Sequence, residues 1–202
     1  MKWQSQIKSE LLAVPGWRTS RHIVVLESDD WGSLRMSSNE AFEQLTDFGI
    51  DLGPKESLRF NRFDCIESLN DLNGLLEILS GHHDSNGRSP VLTMMTLVAN
   101  PNFEKIEEGK FECYSYEKLP DTLRRFYPND RVWELWTEGI SAGLFAPEFH
   151  GREHLNIHHW MKALRSNDKQ ARFAFGKGFW GYNNGGIAFQ AAFDFWFPSH
   201  DT

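Results

Sequence analysis

The chain has only two cysteines, Cys65 and Cys113, in 202 residues, and neither stands near another thiol. A disulfide framework and a cysteine-built metal site are thereby excluded, and two reduced thiols in a cytoplasmic setting are expected. Long apolar runs are missing as well. No segment approaches the roughly 20 apolar residues that cross a bilayer, so no membrane association is expected. Residues 1–15 lack the apolar stretch of a secretory signal and alternate instead at helical spacing, with Trp3, Ile7, Leu11 and Val14 on one face. There is no basic stripe. Lys and Arg number 21 against 28 Asp and Glu, and the net charge is −7. Capture of nucleic acid needs clustered cations against phosphates, so it is not expected.

What is present is an ordinary globular composition with an unusual share of aromatics. Hydrophobic residues make up 40%, enough for a substantial core, and the length suits one domain spanning residues 1–202. Eight Trp and sixteen Phe mostly belong in that core. Trp31, Trp160, Trp180 and Trp196 are candidates for sugar-stacking faces, with burial as the simpler alternative.

Short apolar runs alternate with helical patterns. Residues 22–26 (His-Ile-Val-Val-Leu) read as a strand buried on both faces, and 91–98 as a second. Residues 143–146 make a short third strand that Pro147 ends, and 111–116 suggest another. Helices are predicted after a Ser37/Glu40 capping box, over 66–79, over 132–140 and over 155–165. The alternation predicts parallel βα units. The last forty residues, rich in Gly and Phe, show no regular element, and the domain reads as interrupted at its C-terminus.

Two of the three strands end in polar clusters, Glu27-Ser28-Asp29-Asp30 and Glu148-Phe149-His150-Gly151-Arg152-Glu153-His154. Ligands of parallel α/β folds gather at the carboxyl ends of strands, so both clusters belong on one rim. His150 and His154, four apart, share a face if the segment is helical. Two imidazoles and a carboxylate can hold a divalent ion, zinc foremost, with iron, cobalt, nickel and manganese as alternatives. The His154/His158 pair repeats the spacing, but His158 and His159 belong to the body of the next helix. His82 and His83 lie in a polar turn. Asp29 and Asp30 point oppositely if extended, which suits one as ligand and the other as a base receiving a proton from water.

These residues resemble the polysaccharide deacetylase family, also called the NodB-homology domain. The stretch Val24-Val25-Leu26-Glu27-Ser28-Asp29-Asp30 is similar to its first motif, and His150-Gly151-Arg152-Glu153-His154 to its H-x3-H motif. The wording Glu27–Ser33 and Pro147–Asn156 is similar to a bacterial branch of that family. The resemblance implies a distorted (β/α) barrel that removes acetyl groups from N-acetylated sugars. It makes Asp29 the catalytic base and Asp30, His150 and His154 the metal ligands, with a carbohydrate as substrate. The chain departs from the pattern in three ways. About 120 residues separate the motifs, Gly151 stands where a Ser or Thr is usual, and the later Arg and His motifs find no match before Thr202.

Other readings compete with this one. His150-Gly-Arg-Glu-His154 also fits the inverzincin pattern with Glu153 as base, though Gly151 and Pro147 argue against the helix it needs. A catalytically inactive carbohydrate-binding module of the same fold is the non-enzymatic alternative. Other hydrolases that use Asp and His around a metal, phosphoesterases among them, form the remainder.

Overall fold

The computed structural model describes residues 16, 18–53 and 55–190. The expected N-terminal helix, Trp196 and His200 lie outside them. In chain order the elements are β1 (Leu26–Trp31), α1 (Asn39–Asp47), α2 (Lys55–Phe63), α3 (Leu69–Gly81), β2 (Leu92–Leu97), β3 (Ala99–Pro101), α4 (Phe103–Glu108), β4 (Tyr116–Lys118), α5 (Leu119–Phe126), α6 (Val132–Ser141), β5 (Phe145–Gly151), α7 (Ile157–Arg165), α8 (Lys169–Gly176), β6 (Asn183–Asn184) and β7 (Ile187–Ala188). The protein is thus mixed α/β.

The central sheet has the order β1-β2-β5, all parallel, with β2 in the middle. Among the described residues it is open rather than closed into a barrel. Two small antiparallel pairs, β3-β4 and β6-β7, accompany it. No described helix is long and apolar enough to cross a membrane. Cys65 and Cys113 are both free and exposed.

The first strand lies four residues later than its apolar run suggests. Val24 and Val25 are 82% and 68% exposed and precede β1. The expectation of burial on both faces is not met: Val24 and Val25 come before the ladder, and among the described residues β1 pairs with β2 alone. Pro147 does not end the third strand. It sits inside β5, opposite Met94, at an edge position where its missing N–H costs the ladder nothing. Ser38 rather than Ser37 caps α1, accepting the N–H of Ala41. Ser68 and Asp71 form a reciprocal capping box that opens α3. The suggested strand over 111–116 is displaced to β4, because Lys110 and Phe111 turn the chain with positive φ.

Two cores hold these elements. One packs Leu72, Leu79, Met94, Leu123, Trp136 and Phe145, placing α3, α5 and α6 against the sheet. The other gathers Leu45, Ile106, Trp160, Leu164, Phe175 and Trp180 from α1, α4, α7, α8 and the Gly- and Phe-rich segment. That segment was read as irregular, yet it contains α8, capped by Asp168, and the β6-β7 hairpin turning at Gly185-Gly186. Trp160 and Trp180 are fully buried.

Candidate metal centre

The site is built where β1 and β5 leave the regular ladder. Ser28 pairs with Met94 and Trp31 with Thr96, so Asp29 and Asp30 together oppose Met95. This is a β-bulge, and Asp30 takes a φ of +62° in it. Asp is among the few residues that adopt the left-handed region readily, and a bulge re-aims the side chains it carries. On the other side of β2, Thr96 pairs with Phe149 and Leu97 with Gly151, which leaves His150 as the extra residue.

The two irregularities aim their side chains at one another. His150 Nε2 lies 3.6 Å from Asp30 Oδ1 and His154 Nε2 lies 3.0 Å from the same oxygen. The imidazole centroids are 4.8 Å apart, with the rings nearly perpendicular. The helical spacing expected of the two histidines does not hold. His150 is the penultimate residue of β5, and His154 follows in a loop before α7. Gly151, with φ +148°, makes the bend that returns His154 towards His150. A Ser or Thr there would be strained, which accounts for the glycine.

Asp30, His150 and His154 form the only group of three such residues among those described that can hold one ion, with ligand atoms all within 4.8 Å of one another. Tetrahedral zinc, with bonds of about 2.1 Å, places its ligand atoms about 3.4 Å apart. The two distances to Asp30 bracket that spacing. Oδ1 is buried, and no donor meets it in hydrogen-bond geometry. The His154 imidazole is the neighbour nearest to that oxygen, at 3.0 Å. The donor set and the orphaned oxygen both fit a divalent cation. The nearby His154 imidazole, and after it the Arg35 guanidinium, hold the Asp30 carboxyl below the usual carboxylate range against the opposing effect of burial.

The loop after β1 is fastened from several sides. Leu34 N–H donates to Asn100 Oδ1 at 2.6 Å, and Asn100 Nδ2 donates to Gly32 O at 2.9 Å. Gly32 N–H donates to Glu67, whose other oxygen accepts from Trp136 Nε1 at 2.8 Å. Burial raises the Glu67 carboxyl above its usual value despite these donors. Met36 N–H donates to Asp64 O. Arg35, in the same loop, is ion-paired with Asp30 and lies 3.4 Å from Asp64.

Two hollows flank Asp29 and Asp30 and share them and Gln190 in their walls. One, of about 500 Å³, is lined by the triad, Asn183 and Gln190. The other, of about 640 Å³, adds Arg35, Arg59, Phe60, Phe63 and Asp64. Asp29 therefore lines the same cleft as the triad. Phe60 and Phe63 are exposed there, at 58% and 67%.

Arg35, Asp64, Phe60 and Phe63 were not singled out in the sequence. Arg35 carries no local signal beyond its two apolar neighbours, Leu34 and Met36. Among the tryptophans proposed as stacking faces, Trp31 packs edge-on against Trp136, and Trp160 and Trp180 are core. Arg152 is engaged by Glu153 and by the Tyr114 and Tyr116 rings. The same pairing engages Glu153, and its segment is not helical, so the inverzincin pattern is not realised. His158 and His159 are in α7, as expected, and His82 and His83 are exposed.

Compared with family models, with curated proteins and with solved structures, the chain matches none.

Proposed function

We propose that this chain is a metal-dependent hydrolase of the polysaccharide deacetylase kind, removing acetyl groups from N-acetylated sugars. On this reading the open parallel sheet is part of that family's distorted barrel. The supporting observation is the convergence of Asp30, His150 and His154 at the carboxyl ends of parallel strands, with Asp29 on the wall of the same cleft.

Asp30, His150 and His154 would hold the ion, zinc by the nitrogen-rich character of the set. A divalent ion there supplies Lewis acidity towards water and a carbonyl oxygen. Asp29 accepts the proton that the attacking water gives up. Asn183 and Gln190 offer amide groups to the polar substituents of the sugar, and Phe60 and Phe63 offer flat apolar faces. The inactive-module alternative drew on tryptophan faces, and the burial of Trp160 and Trp180 takes two of them away.

The test is elemental analysis of the purified chain beside a His150→Ala/His154→Ala variant, followed by turnover of acetylated sugars. Near-stoichiometric metal that the double variant loses, with Asp29→Asn retaining metal but not turnover, supports the reading. A folded wild type that takes up no zinc, cobalt or nickel removes it.

A further inference from the structure

We propose that Arg35, braced by Asp64, is a positioning residue for the metal centre. It engages Oδ2 of Asp30 and leaves Oδ1 as the single oxygen presented to His150 and His154. This inference rests on the metal-binding reading of the triad.

A carboxylate has two oxygens, and a divalent ion accepts one or both. Here the two oxygens of Asp30 face different partners. Oδ1 faces the imidazoles, whereas Oδ2 meets Arg35 Nη2. Arg35 is only 7% exposed, and a guanidinium at that depth is costly unless paired. Its hydrogen-bonded partner is Asp30, and the Asp64 carboxylate lies 3.4 Å from Nε as an ion pair without hydrogen-bond geometry. The arrangement is delivered by the backbone. Leu34 is fixed to Asn100, Met36 to Asp64 O, and the Asp64 N–H to Phe60 O at 2.8 Å. A cation beside a divalent ion would by itself weaken binding, and the Asp64 carboxylate offsets that repulsion. The family resemblance places an Arg against the catalytic base, further along the chain; Arg35 instead acts on the ligand.

Cobalt(II) titration of the full chain, followed by visible absorption, tests this. Wild type is expected to bind one equivalent with a defined band. Arg35→Met should bind at least tenfold more weakly, in the range usual for lost partners of metal ligands. Its band should also change in intensity, because Asp30 becomes free to offer both oxygens. Arg35→Lys should fall between the two, and Asp64→Asn should weaken binding while keeping the wild-type band. An Arg35→Met protein that melts cooperatively and matches wild type in Kd and band overturns the proposal and leaves the metal site standing. If Arg35→Met does not fold, wild-type Kd and band in both Arg35→Lys and Asp64→Asn overturn it equally. Wild type that binds no cobalt overturns the metal reading and this inference with it.

Discussion

Asp30 and His150 approach to 3.6 Å from strands on opposite sides of β2, each from a point where its strand carries one residue more than β2 does. Regular pleating alternates side chains between the two faces of a sheet. The paired bulges break that alternation at neighbouring levels, opposite Met95 on one side and between Thr96 and Leu97 on the other, and turn both groups towards the same space. The bend at Gly151 then adds His154.

Replacing that glycine tests the bend. Gly151→Ala forces φ +148° on a residue with a side chain, and its Cβ would meet Leu97 Cδ2 at 3.3 Å. A loss of about 1–3 kcal/mol in stability is expected, together with weaker metal binding. Urea denaturation and metal titration measure the two effects. An unchanged midpoint would show that the backbone relaxes without cost.

Asn100 is the second point of leverage. It is 1% exposed and holds both Gly32 O and Leu34 N–H. Asn100→Ala orphans two buried backbone groups, for a loss of about 2–4 kcal/mol. Thermal or chemical unfolding reads this directly, and a loss below about 0.5 kcal/mol would mean that water replaces the side chain.

Glu67 gives a pH dependence of definite sign. Its carboxyl is raised by burial above the ordinary value of 4.5, so the folded state holds its proton more tightly than the unfolded chain does. The associated stability is complete below pH 4.5 and is lost as pH rises through the folded value. Glu67→Gln does not titrate. The stability of wild type minus that of the variant should therefore fall as pH rises from 4.5 towards neutrality, and a flat difference would contradict the assignment.

The exposed rings of Phe60 and Phe63 line the cleft. If they stack on the sugar, the double alanine variant should raise KM roughly 5- to 30-fold, equivalent to about 1–2 kcal/mol. Little change in kcat or melting temperature is expected, because both side chains are already in solvent. An unchanged KM would place the substrate in the hollow lined by Asn183 and Gln190.

What the sequence made legible was a set of candidate ligands, which the structure brings within reach of one ion. Asp30, His150 and His154 were readable because metal ligands belong to few residue types and because both clusters follow apolar runs. The second strand was readable for the same reason, with residues 92–97 falling inside the predicted 91–98. The means of convergence was hidden. Bulges depend on register between strands distant in sequence, and no local pattern around Asp30 or His150 announces one. The first strand misled because β-branched residues 23–25 signal extended chain without specifying whether a neighbour covers it. Arg35 was missed because pairing with Asp64, 29 positions away, is a tertiary fact.

Because His150 is surplus to the ladder, the sheet does not need it. Neighbouring strands pair through Phe149 and Gly151 whatever side chain stands between them. On the proposed reading, metal affinity and scaffold stability would therefore respond to different positions, so substitutions at residue 150 would change the ion's coordination while the framework around it persists.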